Sequence, residues 1–163
     1  MKLRFEKAGK KNTKEILELY NWYVLNSDVS FHIEQLSPNE MQNIIFFQDT
    51  RFQTFIIKCD VKFCGYVILS EYKKREAYNI TGEISIYLKD EYTGNSIGEK
   101  SLKFIENFAR KNNFHSVLGT VSGTNERSIK LFEKNGYTKC SHFKEVGKKF
   151  NKLIDVLSFQ KLL

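Results

Sequence analysis

Between Glu83 and Lys111 the sequence passes from a strand-like run through a glycine loop into a helix-like run, and this stretch is suited to hold an anion. Gly94 and Gly98 let a backbone approach a ligand closely. The helix behind them offers unpaired N–H groups and the positive end of its dipole, a combination that binds phosphate. Lys100 and Lys103 add cations in its first turns. The loop has neither the Gly-Lys-Ser/Thr of a Walker motif nor the Gly-x-Gly-x-x-Gly of a dinucleotide fold. His32, His115 and His142 share no metal-ligand spacing with Cys59, Cys64 and Cys140, so no metal site is expected. No Gly-x-Ser-x-Gly nucleophile elbow occurs, which argues against covalent hydrolase chemistry.

The elements that must position this loop follow from periodicity. Leu3–Glu6 alternates as a first strand, and Asn12-Thr13-Lys14-Glu15 reads as a capping box before Ile16, Leu19, Tyr20, Tyr23 and Val24 on one helical face. Ser37-Pro38-Asn39-Glu40 starts a second helix, with Pro at its first position. Phe52–Cys59 and Lys62–Glu71 read as a hairpin, and Tyr78–Lys89 as a further strand. Glu99–Lys111 carries Leu102, Ile105, Phe108 and Ala109 at helical spacing. Ser116–Ser122 is a strand, Asn125 opens a short helix that Asn135-Gly136 closes, and Tyr137–Glu145 and Leu153–Leu162 complete the chain as strands. The order β-α-α-β-β-β-α-β-α-β-β predicts an α/β (α+β) domain: a mixed sheet of about seven strands flanked by about four helices.

Composition bounds the rest. A chain of 163 residues, 41% apolar and with one proline, fits a single domain over 1–163 and needs no disulfide or metal staple. No apolar run approaches the roughly 20 residues of a membrane span, and Met1–Glu6 has no secretory core. Three cysteines suit a reducing cytoplasm, with Cys59 and Cys64 expected as packed thiols. The net charge of +7 admits nucleic acid, an acidic surface or anionic small ligands, but 21 of the 26 cations are lysines spread end to end. No nucleic-acid motif is present. No nucleic-acid or membrane partner is expected.

The loop and its neighbours resemble a known superfamily. The element order, the loop after the fourth strand, and Asn125-x-x-Ser128-x-x-Leu131-Phe132-x-x-x-Gly136-Tyr137 look like the GNAT acyl-CoA N-acyltransferases. The resemblance is closer to the branch containing phosphinothricin and L-amino-acid N-acetyltransferases. It rests on Leu19-Tyr20-Asn21 with Val24, Val29–Phe31, Gly65-Tyr66, and Arg75-x-Ala77-Tyr78-x-x-Thr81-x-Glu83-x-Ser85-Ile86-Tyr87. Val146-Gly147-x-Lys149-Phe150 with Asp155-Val156 completes the set. Thr93 stands where the loop signature has Arg or Gln, and Ser96 replaces a glycine. Phe132 occupies a position of Tyr or His, and Asn151 and Leu153 replace Gly and Trp.

The resemblance implies acetyl-CoA as co-substrate and transfer of its acetyl group to the primary amine of a small, amino-acid-like acceptor. Glu83 is then the general base. Backbone N–H groups of Ile86, Tyr87 and Leu88 would meet the pantetheine arm and thioester, Gly94, Asn95, Ser96, Ile97, Gly98 and Glu99 the pyrophosphate, and Asn125 and Ser128 the arm again. Arg75, Tyr78, Lys73 and Phe31 correspond to acceptor positions, with Trp22 and Tyr72 as further candidate walls. No general acid is assigned, since Tyr137 fits a core position. Lys100, Lys103 and Lys130 supply a field for a polyphosphate. A homodimer is expected. Another amine (amino sugar, polyamine or protein N-terminus) or a non-catalytic acyl-CoA-binding module are the alternatives.

Overall fold

Strand β3 (Lys62–Glu71) explains the layering, because its residues alternate between two apolar clusters. Val67 and Leu69 enter one, Tyr66 and Ile68 the other, so both faces of the sheet must be covered. A computed structural model describes residues 2–163; Met1 lies outside the description. The remaining elements are β1 (Leu3–Lys7), α1 (Thr13–Asn26), α2 (Pro38–Ile45), β2 (Gln53–Cys59), β4 (Thr81–Leu88) and α3 (Ile97–Lys111). After them come β5 (Ser116–Ser122), α4 (Glu126–Lys134), β6 (Thr138–Lys149) and β7 (Lys152–Leu162). The order along the chain is the expected one.

The seven strands form one sheet in the order β1-β2-β3-β4-β5-β7-β6. Every neighbouring pair is antiparallel except β4 and β5. Helices α1 and α2 cover one face through Ile16, Leu19, Val24, Met41 and Ile45. Helices α3 and α4 cover the other through Leu102, Ile105, Ala109 and Phe132. Ser37 and Glu40 form the expected capping box of α2, the Glu40 carboxylate accepting from Ser37 N–H at 2.7 Å.

Three local expectations are corrected. Asn12 does not cap α1: it closes a 3₁₀ turn, its Oδ1 accepting from Gly9 N–H at 2.9 Å while its Nδ2 donates to Glu15. Tyr78 is not in β4 but in a 3₁₀ turn, Glu76–Tyr78, because its N–H bonds back to Arg75. Cys59 and Cys64, expected as thiols, are joined as a disulfide across the β2–β3 hairpin, with Cα atoms 6.0 Å apart; Cys140 is the free, exposed cysteine. The hairpin turn at Asp60, with φ of 58°, brings the two together.

The last hairpin runs further than alternation suggested. β6 continues to Lys149 through irregular register after Phe143, and Phe150 and Asn151 turn it in the left-handed region. That extension carries Lys149 over to the loop between α1 and α2.

Candidate active site

The sheet opens where β4 and β5 separate. Their parallel pairing covers Thr81, Gly82 and Glu83, opposite Ser116, Val117 and Leu118, and stops there. From Ile84 to Leu88, β4 pairs with β3 alone. The Lys89 N–H donates to Cys64 O at 2.8 Å. The two-residue period of the antiparallel ladder then turns the backbones of Glu83, Ser85 and Tyr87 to β3 and those of Ile84, Ile86 and Leu88 to the unpaired edge. Two of the three expected donors, Ile86 and Leu88, therefore lie on the open edge, and Tyr87 stays in the ladder with Tyr66. The Leu88 carbonyl on that edge is already taken by the Tyr23 hydroxyl at 2.6 Å.

Downstream of the opening, Asp90–Tyr92 forms a 3₁₀ turn and Ser96 caps α3 with φ of 58°. Left-handed backbone suits the glycine usual at this place, yet Ser96 retains it. No side chain caps α3, so the N–H groups of Ile97, Gly98 and Glu99 have no partner inside the helix. This donor set fits a pyrophosphate. Asn125 Oδ1 is used in capping α4, where it accepts from Ser128 N–H at 3.1 Å.

Of the three cations expected at this end, Lys100 is exposed and the other two are paired with carboxylates. Lys103 and Lys134 pair with Glu99 at 2.7 and 2.9 Å, and together they hold the Glu99 carboxyl down to about 2. Lys130 pairs with Glu126 at 3.3 Å. Arg127, which sequence reasoning passed over, reaches the loop instead: its guanidinium donates to Thr93 Oγ1 at 3.1 Å and pairs with Asp90 at 3.4 Å. A guanidinium thus stands beside Thr93, where the family signature has Arg or Gln. Only the contact in space reveals this, since Arg127 lies 34 residues along the chain.

On the α1/α2 face, the opening continues into a cleft of about 340 Å³. Glu83, Ser85 and Tyr87 of β4 line it, with Ser70 of β3 and Thr120 of β5. Helix α1 contributes Tyr20, and the following loop Val29, Phe31 and His32. Glu83 is half-buried there. Burial pushes the Tyr87 phenol far up, helped by Tyr20, Tyr23 and the charge of Glu83, so Tyr87 stays protonated. Tyr20, Tyr23 and Tyr66 are raised too, in each case chiefly by burial.

Of the expected acceptor residues, Phe31 alone lines this cleft. Arg75 is exposed in the β3–β4 connection, and the Lys73 ammonium rests on the Tyr72 and Tyr78 rings at 5.0 and 5.3 Å. Trp22 lines a separate groove with Glu15, Glu18 and Phe63. Phe132 is buried against Gly119, where any Cβ would overlap its ring, so the position of the family's Tyr or His serves packing. Tyr137 is likewise buried, with burial and then Glu106 holding its hydroxyl protonated. Among the described residues, no group of three His, Cys, Asp or Glu side chains could hold a metal.

The sheet thus parts after one short parallel pairing, and an uncapped helix start lies at the gap. The sequence matches the profile of the Acetyltransferase (GNAT) family over residues 16–137, and the chain belongs to that family. It is 23% identical over 154 residues to the phosphinothricin N-acetyltransferase of Streptomyces coelicolor, covering 92% of this chain and 90% of that one. It is 26% identical over 158 residues to the L-methionine sulfoximine/L-methionine sulfone acetyltransferase of Pseudomonas aeruginosa, covering 94% and 90%. Its fold is shared with a phosphinothricin acetyltransferase of Sinorhizobium meliloti solved with acetyl-CoA, at a TM-score of 0.93 and 24% identity over 100% of this chain and 89% of that one.

Proposed function

We propose that this acetyltransferase moves the acetyl group of acetyl-CoA to the primary amine of a small, carboxylate-bearing molecule of the phosphinothricin or methionine sulfoximine type, with Glu83 as general base. The observation that carries this reading is the position of Glu83. It is the last β4 residue paired with β5, half-buried, at the point where the open strand edge meets the cleft.

On this reading the N–H groups of Ile86 and Leu88 hold the pantetheine arm and the developing oxyanion. Tyr87 acts through its side chain, as a wall of the cleft. The loop Gly94–Glu99 takes the pyrophosphate, with Arg127 as its side-chain cation, and Asn125 and Ser128 flank the arm. Arg75, Lys73 and Tyr78 stand on the connection that leads into β4 and form the outer rim for the acceptor. Glu83 accepts a proton from the incoming ammonium, directly or through a water. The amine nitrogen then bonds to the acetyl carbon, the carbon–sulfur bond breaks, and the nitrogen's remaining surplus proton passes to the departing thiolate or to solvent. A thiolate leaving group near pKa 8.5 needs no dedicated acid, which agrees with packed Phe132 and Tyr137. We take residues 1–163 to act as one cytoplasmic N-acetyltransferase domain. We also take it to be a homodimer formed through the β6–β7 hairpin, where Phe143, Val146, Phe150 and Leu153 are exposed.

Thiol release from acetyl-CoA, followed across a panel of amino-acid, amino-sugar, polyamine and peptide amines, tests the reading. Turnover is expected with L-methionine sulfoximine or sulfone. Glu83→Gln is expected to lower kcat/KM by about 10²-fold. Saturable CoA binding with no turnover of any amine would make the chain a binding module, and wild-type rates in Glu83→Gln at every pH would remove Glu83 as the base.

A further inference from the structure

The acceptor cleft holds one side chain able to carry negative charge at neutral pH, Glu83, and one able to carry positive charge, His32; its other polar side chains are hydroxyls. That is the charge pattern of an amino acid, with an amine for one end and a carboxylate for the other. Cations on neighbouring segments do not line the cleft. Arg75 is exposed outside the lining, Lys73 lies on two tyrosine rings, and Lys149 is buried with its ammonium on the Ser30 carbonyl at 2.8 Å.

Resting on the acceptor class proposed above, we propose that His32 binds the acceptor's carboxylate and thereby sets the preference for amino acids over plain amines. The imidazole is held for this purpose. The Tyr20 hydroxyl engages its Nδ1, which leaves Nε2 as the ring nitrogen without a partner. The two rings meet edge to face, with centroids 5.6 Å apart.

The loop that carries His32 is fastened on both sides. Before it, Thr124 Oγ1 donates to Asp28 at 2.8 Å and Lys149 holds Ser30. After it, Asn21 takes both the N–H and the carbonyl of Leu36, at 2.9 and 3.0 Å. A fixed span of this kind reduces the ordering that acceptor binding must supply. The charged and titratable groups facing His32 are Tyr20 from α1, Glu40 from α2, and Glu83 and Tyr87 from β4. Glu40 is held low first by the Ser37 backbone N–H and its side chain, and His32 contributes.

The experiment compares L-methionine sulfone with its carboxamide at saturating acetyl-CoA, in the wild type and in His32→Gln, His32→Lys and Arg75→Gln. His32→Gln should raise KM for the amino acid about 10-fold, the scale of one charged hydrogen bond. Its kcat should stay within about twofold, and KM for the carboxamide should not move. His32→Lys should keep the preference for the amino acid, because it keeps a cation. A preference undiminished in His32→Gln, or abolished by Arg75→Gln alone, overturns the assignment of His32 and leaves the proposed function standing. A wild type that prefers the carboxamide, or turns over neither, overturns the acceptor class and this assignment together.

Discussion

The two ends of the site are built in opposite ways. The proposed cofactor end is mostly one stretch of chain, Ile84 to Glu99, whose backbone N–H donors follow from a strand edge and a helix start, with Asn125, Arg127 and Ser128 added from α4 and its cap. Side chains can change there with the donors kept, as Thr93 and Ser96 do. The proposed acceptor end draws on β3, β4, β5, α1 and the loop beyond α1, and nearly everything it offers is a side chain. Substitution at the first end weakens a contact; at the second it changes what the cleft can recognise. One end is suited to a constant co-substrate and the other to a variable one.

Loss of the proposed base, Glu83, stands as the largest expected effect, and it belongs to the acceptor end. Next comes Lys149→Met. Lys149 is 4% exposed and Ser30 is 1% exposed, so the Ser30 carbonyl would be left buried without its donor. A loss of about 1–3 kcal/mol is expected. Chemical denaturation should show it, together with a raised KM for the acceptor and an unchanged KM for acetyl-CoA. Equal effects on both substrates would mean that the clamp is not particular to the acceptor loop.

Alkali should also single out the acceptor side, where Tyr20, Tyr23, Tyr66 and Tyr87 crowd together. Burial raises each phenol above its ordinary value of 10.0. A raised folded-state value means that the stabilisation is complete below the ordinary value and is lost as the pH climbs from there through the folded value. Tm is therefore expected to fall above about pH 10, with tyrosinate absorbance rising in the same transition. Tyrosinate appearing well before unfolding would show the cluster to be open to solvent.

The smallest effect should lie at the cofactor end. Arg127 is 77% exposed, and exposed ion pairs contribute only about 0.2–1 kcal/mol. Arg127→Ala should raise KM for acetyl-CoA by less than about fivefold, and more at low salt than at high salt. An acceptor KM that moved as much would break the contrast between the two ends.

Legibility in the sequence divides along the same line. The glycine loop, Ser37-Pro38 at the start of α2, and the strand Ser116–Ser122 were read from local pattern, because turns, caps and alternation depend on neighbours in the chain. The base role of Glu83 and the loop's match to a CoA pyrophosphate rest on resemblance. His32 was read only as a histidine without metal partners. Arg127 was not singled out at all, because its contacts with Thr93 and Asp90 lie 34 and 37 residues away. Lys103 and Lys130 are met by Glu99 and Glu126, four residues before them along the helix surface. That pairing was visible in the spacing.

By itself the sequence determined the order of strands and helices, the loop that starts α3, and the family to which the ordered motifs belong. These follow from periods of two and 3.6 residues and from short-range hydrogen bonding. The tertiary structure decided where β4 leaves β5, which alternate N–H groups face the gap, and that Arg127 rather than Lys103 attends the loop. It also decided that Lys149, 119 residues beyond Ser30, fixes the loop that brings His32 into the cleft with Glu83. Those decisions depend on distances between segments remote in the chain, which only the packed sheet and its two helical layers set.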